Sequence, residues 1–240
     1  MIIGIIPARF ASTRFPGKPL QLINGKPMIQ RVYEQAKKAR LLTDVIIATD
    51  DQRIYDFAAS IGAKVMMTGA QHLTGTDRCS EVALANPATA YINIQGDEPF
   101  IQPEQIDLLA DFFKNNSDTE AIATLIKATD SLKLVESPNA IKVVISKLNT
   151  ALYFSRALVP YYRNTKLSPT YYKHIGMYGY TSAALARISK LEATALESAE
   201  SLEQLRWLEN GMTIHTIKTE FETISIDVPE DLQKIGAEMG

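Results

Sequence analysis

The chain has 240 residues, 46% of them hydrophobic, and a net charge of −2. That is apolar content for one substantial core, too little length for two large domains, and a composition that excludes general disorder. No run approaches the roughly 20 apolar residues of a membrane helix, the N-terminal apolar run is too short for a signal peptide, and the lone Cys79 leaves no disulfide framework. The expected location is therefore the cytoplasm.

Ile2–Ile6 reads as a strand stopping at Pro7, followed by a loop that carries Arg9, Arg14 and Lys18. Pro27 fits a first helical turn, and Ile29, Val32, Tyr33, Ala36 and Ala39 continue at helical spacing. Val45–Ala48 is strand-like and ends at Asp50-Asp51, where an Asp caps the next helix; Ile54, Phe57, Ala58 and Ile61 form its apolar face. Lys64–Met67 is a short strand, Thr76–Ala85 a helix, Tyr91–Ile94 a strand and Pro103–Phe113 a helix. This alternation predicts an α/β single domain, a mostly parallel central sheet flanked by helices. Right-handed crossovers then bring segments 7–18, 49–51 and 95–99 to the carboxyl edge, where open α/β sheets bind ligands.

After residue 120 the pattern turns β-rich. Ala121–Ile126, Ala140–Ile145 and Ala151–Phe154 read as strands, with a hairpin turn at Lys147–Thr150. Residues 160–171 hold two prolines and three tyrosines, an excursion that fits either a subunit contact or an ordered loop. Lys173–Thr181 is a strand, 182–209 is helical in pieces, strands follow near 212–218 and 222–227, and a last helix starts at Pro229.

Residues 1–40 carry eight cations and one anion, so a cationic end sits on an acidic body. Arg31, Lys37, Lys38 and Arg40 fit the solvated face of a helix; Arg9, Arg14 and Lys18 fit a small polyanion, most simply nucleotide phosphates. Neither Gly17-Lys18 nor Gly25-Lys26 completes a P-loop, and G-x-G-x-x-G is absent. Gln95-Gly96-Asp97-Glu98-Pro99 follows a strand: Asp97 can hold Mg²⁺ over a triphosphate, or the segment is a tight turn with an acid capping the next helix. Asp227 stands before Pro229 as a helix cap or as a second Mg²⁺ carboxylate. Strand alternation puts His174, Gly176, Tyr178 and Tyr180 on one face, where the glycines suggest close approach of a ligand or backbone. Glu203-Gln204 lies on an amphipathic helix, a place where paired polar residues are usually solvated. Zinc and cysteine-protease signatures are missing.

IPARFASTRFPGKPL (6–20), ATD (48–50), QGDEP (95–99), ALYFSR (151–156), KHIGMYGY (173–180), LEQLR (202–206) and DVPED (227–231) together resemble the 3-deoxy-manno-octulosonate (Kdo) cytidylyltransferase family over nearly the whole chain. The resemblance implies a Rossmann-like fold of the nucleotide-diphospho-sugar transferase type, with a nucleotide-binding part over about 1–120 and a sugar-binding and dimerisation part over about 121–225. It also implies a cytoplasmic homodimer that uses Mg²⁺ to make CMP-Kdo and pyrophosphate from CTP and Kdo, for lipopolysaccharide assembly. By matching positions, Arg9, Arg14 and Lys18 would bind the CTP phosphates, with Lys18 also catalytic. Asp97 and Asp227 would hold Mg²⁺; Arg78, Gln95, His174, Tyr178, Glu203 and Gln204 would face the sugar acid. Amino-Kdo or sialic acid activation, and a nucleotide-binding regulator without catalysis, are the other readings. Thr74 replaces the family's usual serine, and Ser225 and Val228 replace its usual glycine and threonine around Asp227.

Overall fold

A computed structural model describes residues 1–11, 15–164, 166–167, 170–226 and 228–232. In chain order the elements are β1 (Ile2–Ala8), a 3-10 turn (Lys18–Leu20), β2 (Leu22–Ile23), β3 (Lys26–Pro27), α1 (Met28–Ala36), β4 (Asp44–Thr49), α2 (Gln52–Ser60), β5 (Lys64–Met67), α3 (Gly75–Ala85), β6 (Ala90–Asn93) and α4 (Pro103–Asn115). The second half adds β7 (Ile122–Thr129), α5 (Leu132–Val135), β8 (Lys142–Ile145), β9 (Ala151–Ser155), β10 (Tyr171–Thr181), α6 (Ser182–Ile188), α7 (Ala195–Glu200), α8 (Gln204–Glu209) and β11 (Ile214–Lys218).

The main sheet runs β11-β7-β10-β6-β1-β4-β5, with β8 and β9 attached beside β10. β1 pairs parallel with β4 and β6, β4 with β5, and β7 with β11; β10 alone is inserted antiparallel, between β6 and β7. Successive residues of β1 point to opposite sides, so two apolar layers form. Ile2 and Ile6 pack with Ile29, Val32, Ile54, Leu109 and Phe113 beneath α1, α2 and α4. Ile3 and Ile5 pack with Val82, Tyr91, Leu185, Leu205 and Trp207 beneath α3, α6 and α8. Helices thus cover both faces, as the strand–helix alternation requires.

Two expectations need correction. β1 does not stop at Pro7 but runs through it to Ala8, opposite Ala48 and Thr49 of β4. Its register with β6 ends at Ile5, so Pro7 lies where the strand is paired on one side, a place where a missing N–H is tolerated. The strand expected over 222–227 is not formed across 222–226. That segment leaves the sheet after Thr219, whose N–H donates to Ile126 O, and crosses the carboxyl edge until Ile226 N–H donates to Asp97 O at 2.9 Å. Glu222 holds it down by pairing with Lys127 and Lys173, and Ile226 is buried with Phe15, Ile23 and Met28. Polar pairing and one apolar anchor replace a β-ladder.

The 160–171 excursion folds back on itself: Thr170 N–H donates to Tyr162 Oη, Tyr162 O–H donates to Thr170 O, both at 3.0 Å, and the Tyr162 and Tyr171 rings meet edge to face. Arg31 turns inward to Ile23 O, whereas Lys37, Lys38 and Arg40 face solvent.

Gly179 explains one of the two glycines of β10. A Cβ there would lie 2.2 Å from Phe113 Cε2 and 2.9 Å from Ile92 Cδ1, so the close approach is by the α4 core and not by a ligand. Gly179→Ala overpacks this contact by roughly 1–3 kcal/mol, and a thermal melt is expected to show a fall of roughly 5 °C. An unchanged melt would mean that Phe113 moves aside freely.

Candidate functional site

The carboxyl end of β1, the turn after β6 and the loop before α3 line a cavity of about 290 Å³. Arg9, Lys18, Gln95 and Asp97 line it together with His72, Leu73, Thr74 and Arg78. The convergence of segments 7–18 and 95–99 expected from topology is therefore present, whereas 49–51 is not in the lining and is linked to it only through Asp50. Its carboxylate accepts from Arg78 Nη2 at 3.0 Å. Arg78 is buried and also contacts Thr68 Oγ1 and Gly69 O, so it lines the cavity with its charge already balanced.

The N-terminal loop is closed at its base, where Gly17 N–H donates to Phe10 O at 3.0 Å. The Arg53 guanidinium lies 3.3 Å above the Phe10 ring and is itself held by Asp51. Gly17, at φ 69°, turns the chain into the 3-10 segment that presents Lys18. Lys18 Nζ donates to Asp97 Oδ2 at 2.7 Å and to Ile226 O at 2.8 Å. A cation of the first loop and a carboxylate of the turn after β6 thus meet at one point. Arg14 and Asp227, named from the sequence, lie outside the described residues.

Asp97 does not cap a helix: α4 begins at Pro103, with Gln102 in the capping position. The segment is a turn nonetheless, with Glu98 N–H donating to Gln95 O at 3.3 Å. Gly96 is needed because a Cβ would stand 2.7 Å from Pro7 O; the close approach there is by the protein's own backbone. Glu98 is buried, and desolvation, reinforced by Asp97, pushes its pKa up to about 8.

His174, Tyr178, Glu203 and Gln204 are not among the residues lining this cavity, and the two on β10 are placed by the reversed direction of that strand. Tyr178 is opposite Asn93, the last residue of β6, so the part of β10 before it overhangs the carboxyl edge. A bulge between Ile175 and Tyr178 inserts two residues and leaves the alternation intact. Ile175 and Met177 face the α4 layer, while the His174, Tyr178 and Tyr180 rings meet on the other face. The bulge turns Gly176 O toward Gln95, whose Nε2 donates to it at 2.9 Å. No atom stands within 4 Å of where a Gly176 Cβ would be. Thr124 Oγ1 lies 2.8 Å from Met177 O and 2.9 Å from His174 Nε2; one consistent arrangement has Thr124 donating to the carbonyl and His174 Nε2–H donating to Thr124. Dense packing pushes the His174 pKa down to about 3, with Lys173 adding to the effect, so the ring is neutral at pH 7.

Glu203 and Gln204 are not on a solvated helical face. Gln204, Leu205 and Trp207 are the buried residues of the six-residue α8, and Leu202 is buried just before it. Glu203 Oε2 accepts from Thr76 Oγ1 at 3.0 Å. Its Oε1 and the Tyr178 hydroxyl are buried without a hydrogen-bond partner among the described residues, the signature of groups kept for a ligand. Thr76, Thr124 and Asp50 are functional neighbours that sequence reasoning did not assign; of these only Asp50 stood in a quoted motif.

Burial pushes the Glu203 pKa from 4.5 up to about 7, against the pull of Thr76 and Arg206. A carboxyl that holds its proton more tightly when folded lowers stability as pH rises from about 4.5 to about 7. Glu203→Gln lacks that titration. Its melting temperature relative to the parent is expected to rise by a few degrees between pH 5 and pH 8, and a constant difference would contradict the assignment.

A cavity at the carboxyl edge with a Lys–carboxylate pair and a polar-aromatic flank is what a nucleotidyl-transferring enzyme requires, and the comparisons narrow the class to cytidylyltransferases: the family profile "Cytidylyltransferase" matches residues 3–214. The 3-deoxy-manno-octulosonate cytidylyltransferase of Parabacteroides distasonis is 53% identical, covering 97% of this chain and 95% of that protein. Its namesake from Cytophaga hutchinsonii is 50% identical over 98% and 96%. The structure of CMP:2-keto-3-deoxy-manno-octonic acid synthetase complexed with CTP superposes with a TM-score of 0.94 at 41% identity, over 99% and 98% of the two chains. The inositol-1-phosphate CTP transferase of T. maritima, at 12% identity and a TM-score of 0.67, shares the fold. The chain belongs to the 3-deoxy-manno-octulosonate cytidylyltransferase family.

Proposed function

We propose that the protein transfers CMP from CTP to 3-deoxy-manno-octulosonate, forming CMP-Kdo and pyrophosphate. The carrying observation is the 2.7 Å contact between Lys18 and Asp97 inside a cavity flanked by Gln95, Arg78 and the β10 bulge. In this reading the triphosphate lies along Arg9 and Lys18. The sugar acid lies toward Gln95, His174, Tyr178, Glu203 and Gln204. The anomeric 2-hydroxyl of the sugar forms the new O–P bond at the α-phosphorus as the bond to pyrophosphate breaks, and its proton leaves to solvent. Such a displacement depends on positioning and charge neutralisation. Lys18 and Arg9 offset negative charge gathering on the leaving pyrophosphate. Neutral His174, tied to Thr124, orients the sugar and takes up no proton at pH 7.

The donor set fits Mg²⁺. Among the described residues no group of three or more His, Cys, Asp or Glu could hold a metal, and Mg²⁺ commonly rests on one or two carboxylates plus substrate phosphates. Asp97 would supply one carboxylate and Asp227, by its place in the family motif, the second. Bound there, Mg²⁺ would supply Lewis acidity toward the α-phosphate and lower the pKa of the attacking hydroxyl.

A cytoplasmic homodimer completes the reading. No helix among the described residues is long and apolar enough to cross a membrane. Leu148, Leu152 and Tyr161 are strongly exposed near β9 and the 160–171 excursion, apolar surface that a second copy would cover.

A panel of 3-deoxy-2-keto sugar acids with CTP, assayed for pyrophosphate, tests the substrate assignment. Kdo is expected to give the highest kcat/KM. A higher value for an amino-Kdo or a sialic acid would reassign the sugar, and release with none of them would overturn the activity.

A further inference from the structure

The loop between β5 and α3 contributes His72, Leu73 and Thr74 to the wall of the cavity that Arg9 and Lys18 also line, and both its ends are secured. At the start, Thr68 N–H donates to Thr49 O at 2.8 Å, and Arg78 reaches Thr68 and Gly69 O. At the end, Thr74 and Asp77 form a reciprocal helix cap at 3.1 Å each way. The middle, Gly69–Leu73, is reached by a side chain from the second turn of α3. Glu81 Oε2 accepts from Gly69 N–H at 2.9 Å and from the His72 ring at Nε2. Thr74, Arg78 and Glu81 are spaced i, i+4, i+7, so one helix face carries all three fastenings. The pair is partly shielded, with 15% of the His72 side chain and 33% of the Glu81 side chain exposed. Burial raises the Glu81 pKa, but His72 and Gly69 outweigh it and leave the carboxyl below its usual range.

This stretch differs in chemistry from the Arg9 and Lys18 part of the lining. His72 and Leu73 both line the cavity, and Leu73 is 83% exposed. An apolar side chain held at the mouth of a cationic cavity suits the flat, weakly polar face of a nucleoside better than phosphate. Nothing in the proposed chemistry yet uses Glu81, His72 or Leu73.

We infer that Glu81 is a positioning residue that holds His72 and Leu73 as the nucleoside-facing wall of the cavity, so that it governs affinity for the nucleoside half of the nucleotide and not for its phosphates. The inference rests on reading the cavity as the CTP site. Three consequences separate this role from general scaffolding. Glu81→Ala raises the KM for CTP roughly tenfold, the size of one or two lost hydrogen bonds, with a much smaller change in kcat. Glu81→Gln, which still offers an oxygen to Gly69 N–H, recovers most of the loss. Inorganic tripolyphosphate, which has phosphates and no nucleoside, binds parent and variant alike.

The experiment is calorimetric titration of the full-length protein with CTP and with tripolyphosphate, for the parent, Glu81→Ala, Glu81→Gln and Leu73→Ser, alongside steady-state pyrophosphate release. Leu73→Ser alters only an exposed side chain, so it answers the question even if Glu81→Ala folds poorly; weakened CTP binding with unchanged tripolyphosphate binding is expected there too. Equal losses for both ligands, or CTP affinity unaltered in Glu81→Ala and Leu73→Ser while the parent binds CTP, would overturn the inference. A parent that binds tripolyphosphate and not CTP would instead overturn the nucleotide reading of the cavity, and the inference with it.

Discussion

Asp97→Asn is expected to leave a folded protein and to remove turnover by about a thousandfold, the scale of losing one preorganised charge at a reacting centre. The fold survives for local reasons. The side chain is partly exposed at the cavity, the Asn oxygen still accepts from Lys18 Nζ, and the Asp97 carbonyl still receives Ile226 N–H. Activity does not survive, because the amide cancels the charge that balances Lys18 and that would hold a divalent cation. Glu98 is poorly placed to take over, because its carboxyl is buried. The check is a thermal melt beside a pyrophosphate-release assay. A melt within a few degrees of the parent with turnover lost supports the role, and near-normal turnover at saturating Mg²⁺ would remove Asp97 from the chemistry.

Lys18→Ala carries the second largest effect, a loss of roughly a hundredfold to a thousandfold in kcat/KM expressed in both kcat and KM for CTP. Lys18 is placed by a left-handed turn at Gly17 and touches two distant parts of the chain, the Asp97 carboxylate and the Ile226 carbonyl. Its removal takes a cation from the triphosphate, leaves Asp97 without this partner, and frees the segment leading to Asp227. Lys18→Arg is expected to rescue poorly, because a planar fork cannot place one nitrogen on both oxygens as the ammonium does. Steady-state kinetics at varied CTP would decide: a rise in KM alone would mean that Lys18 binds ground state and transition state equally and adds nothing to the chemical step.

The Arg9, Lys18 and Asp97 cluster was legible because its parts are local in sequence. A buried strand, a loop of cations and a carboxylate after another strand can each be read within a few residues, and topology brings them to one edge. The His174, Tyr178, Glu203 and Gln204 group was legible mainly through resemblance. Which strand pairs with β10, and in which direction, is not written in its own residues. Yet that reversal and the bulge at Gly176-Met177 are what carry His174 past the end of β6. Glu203 and Gln204 read as solvated because a short helix with leucines nearby shows only one apolar face. Their burial comes from α3 and β10, both distant in sequence. The 222–226 segment misled for the same reason: its β-forming residues are held by Glu222 and two lysines on other strands, not by a ladder.

The account stands most directly on one measurement: pyrophosphate and CMP-sugar quantified together when the protein meets CTP, Mg²⁺ and 3-deoxy-manno-octulosonate. Cytidylyl transfer predicts that the two products appear in equal amounts, and that neither appears when the sugar is left out. CTP binding without either product, or pyrophosphate released at the same rate without the sugar, would contradict it.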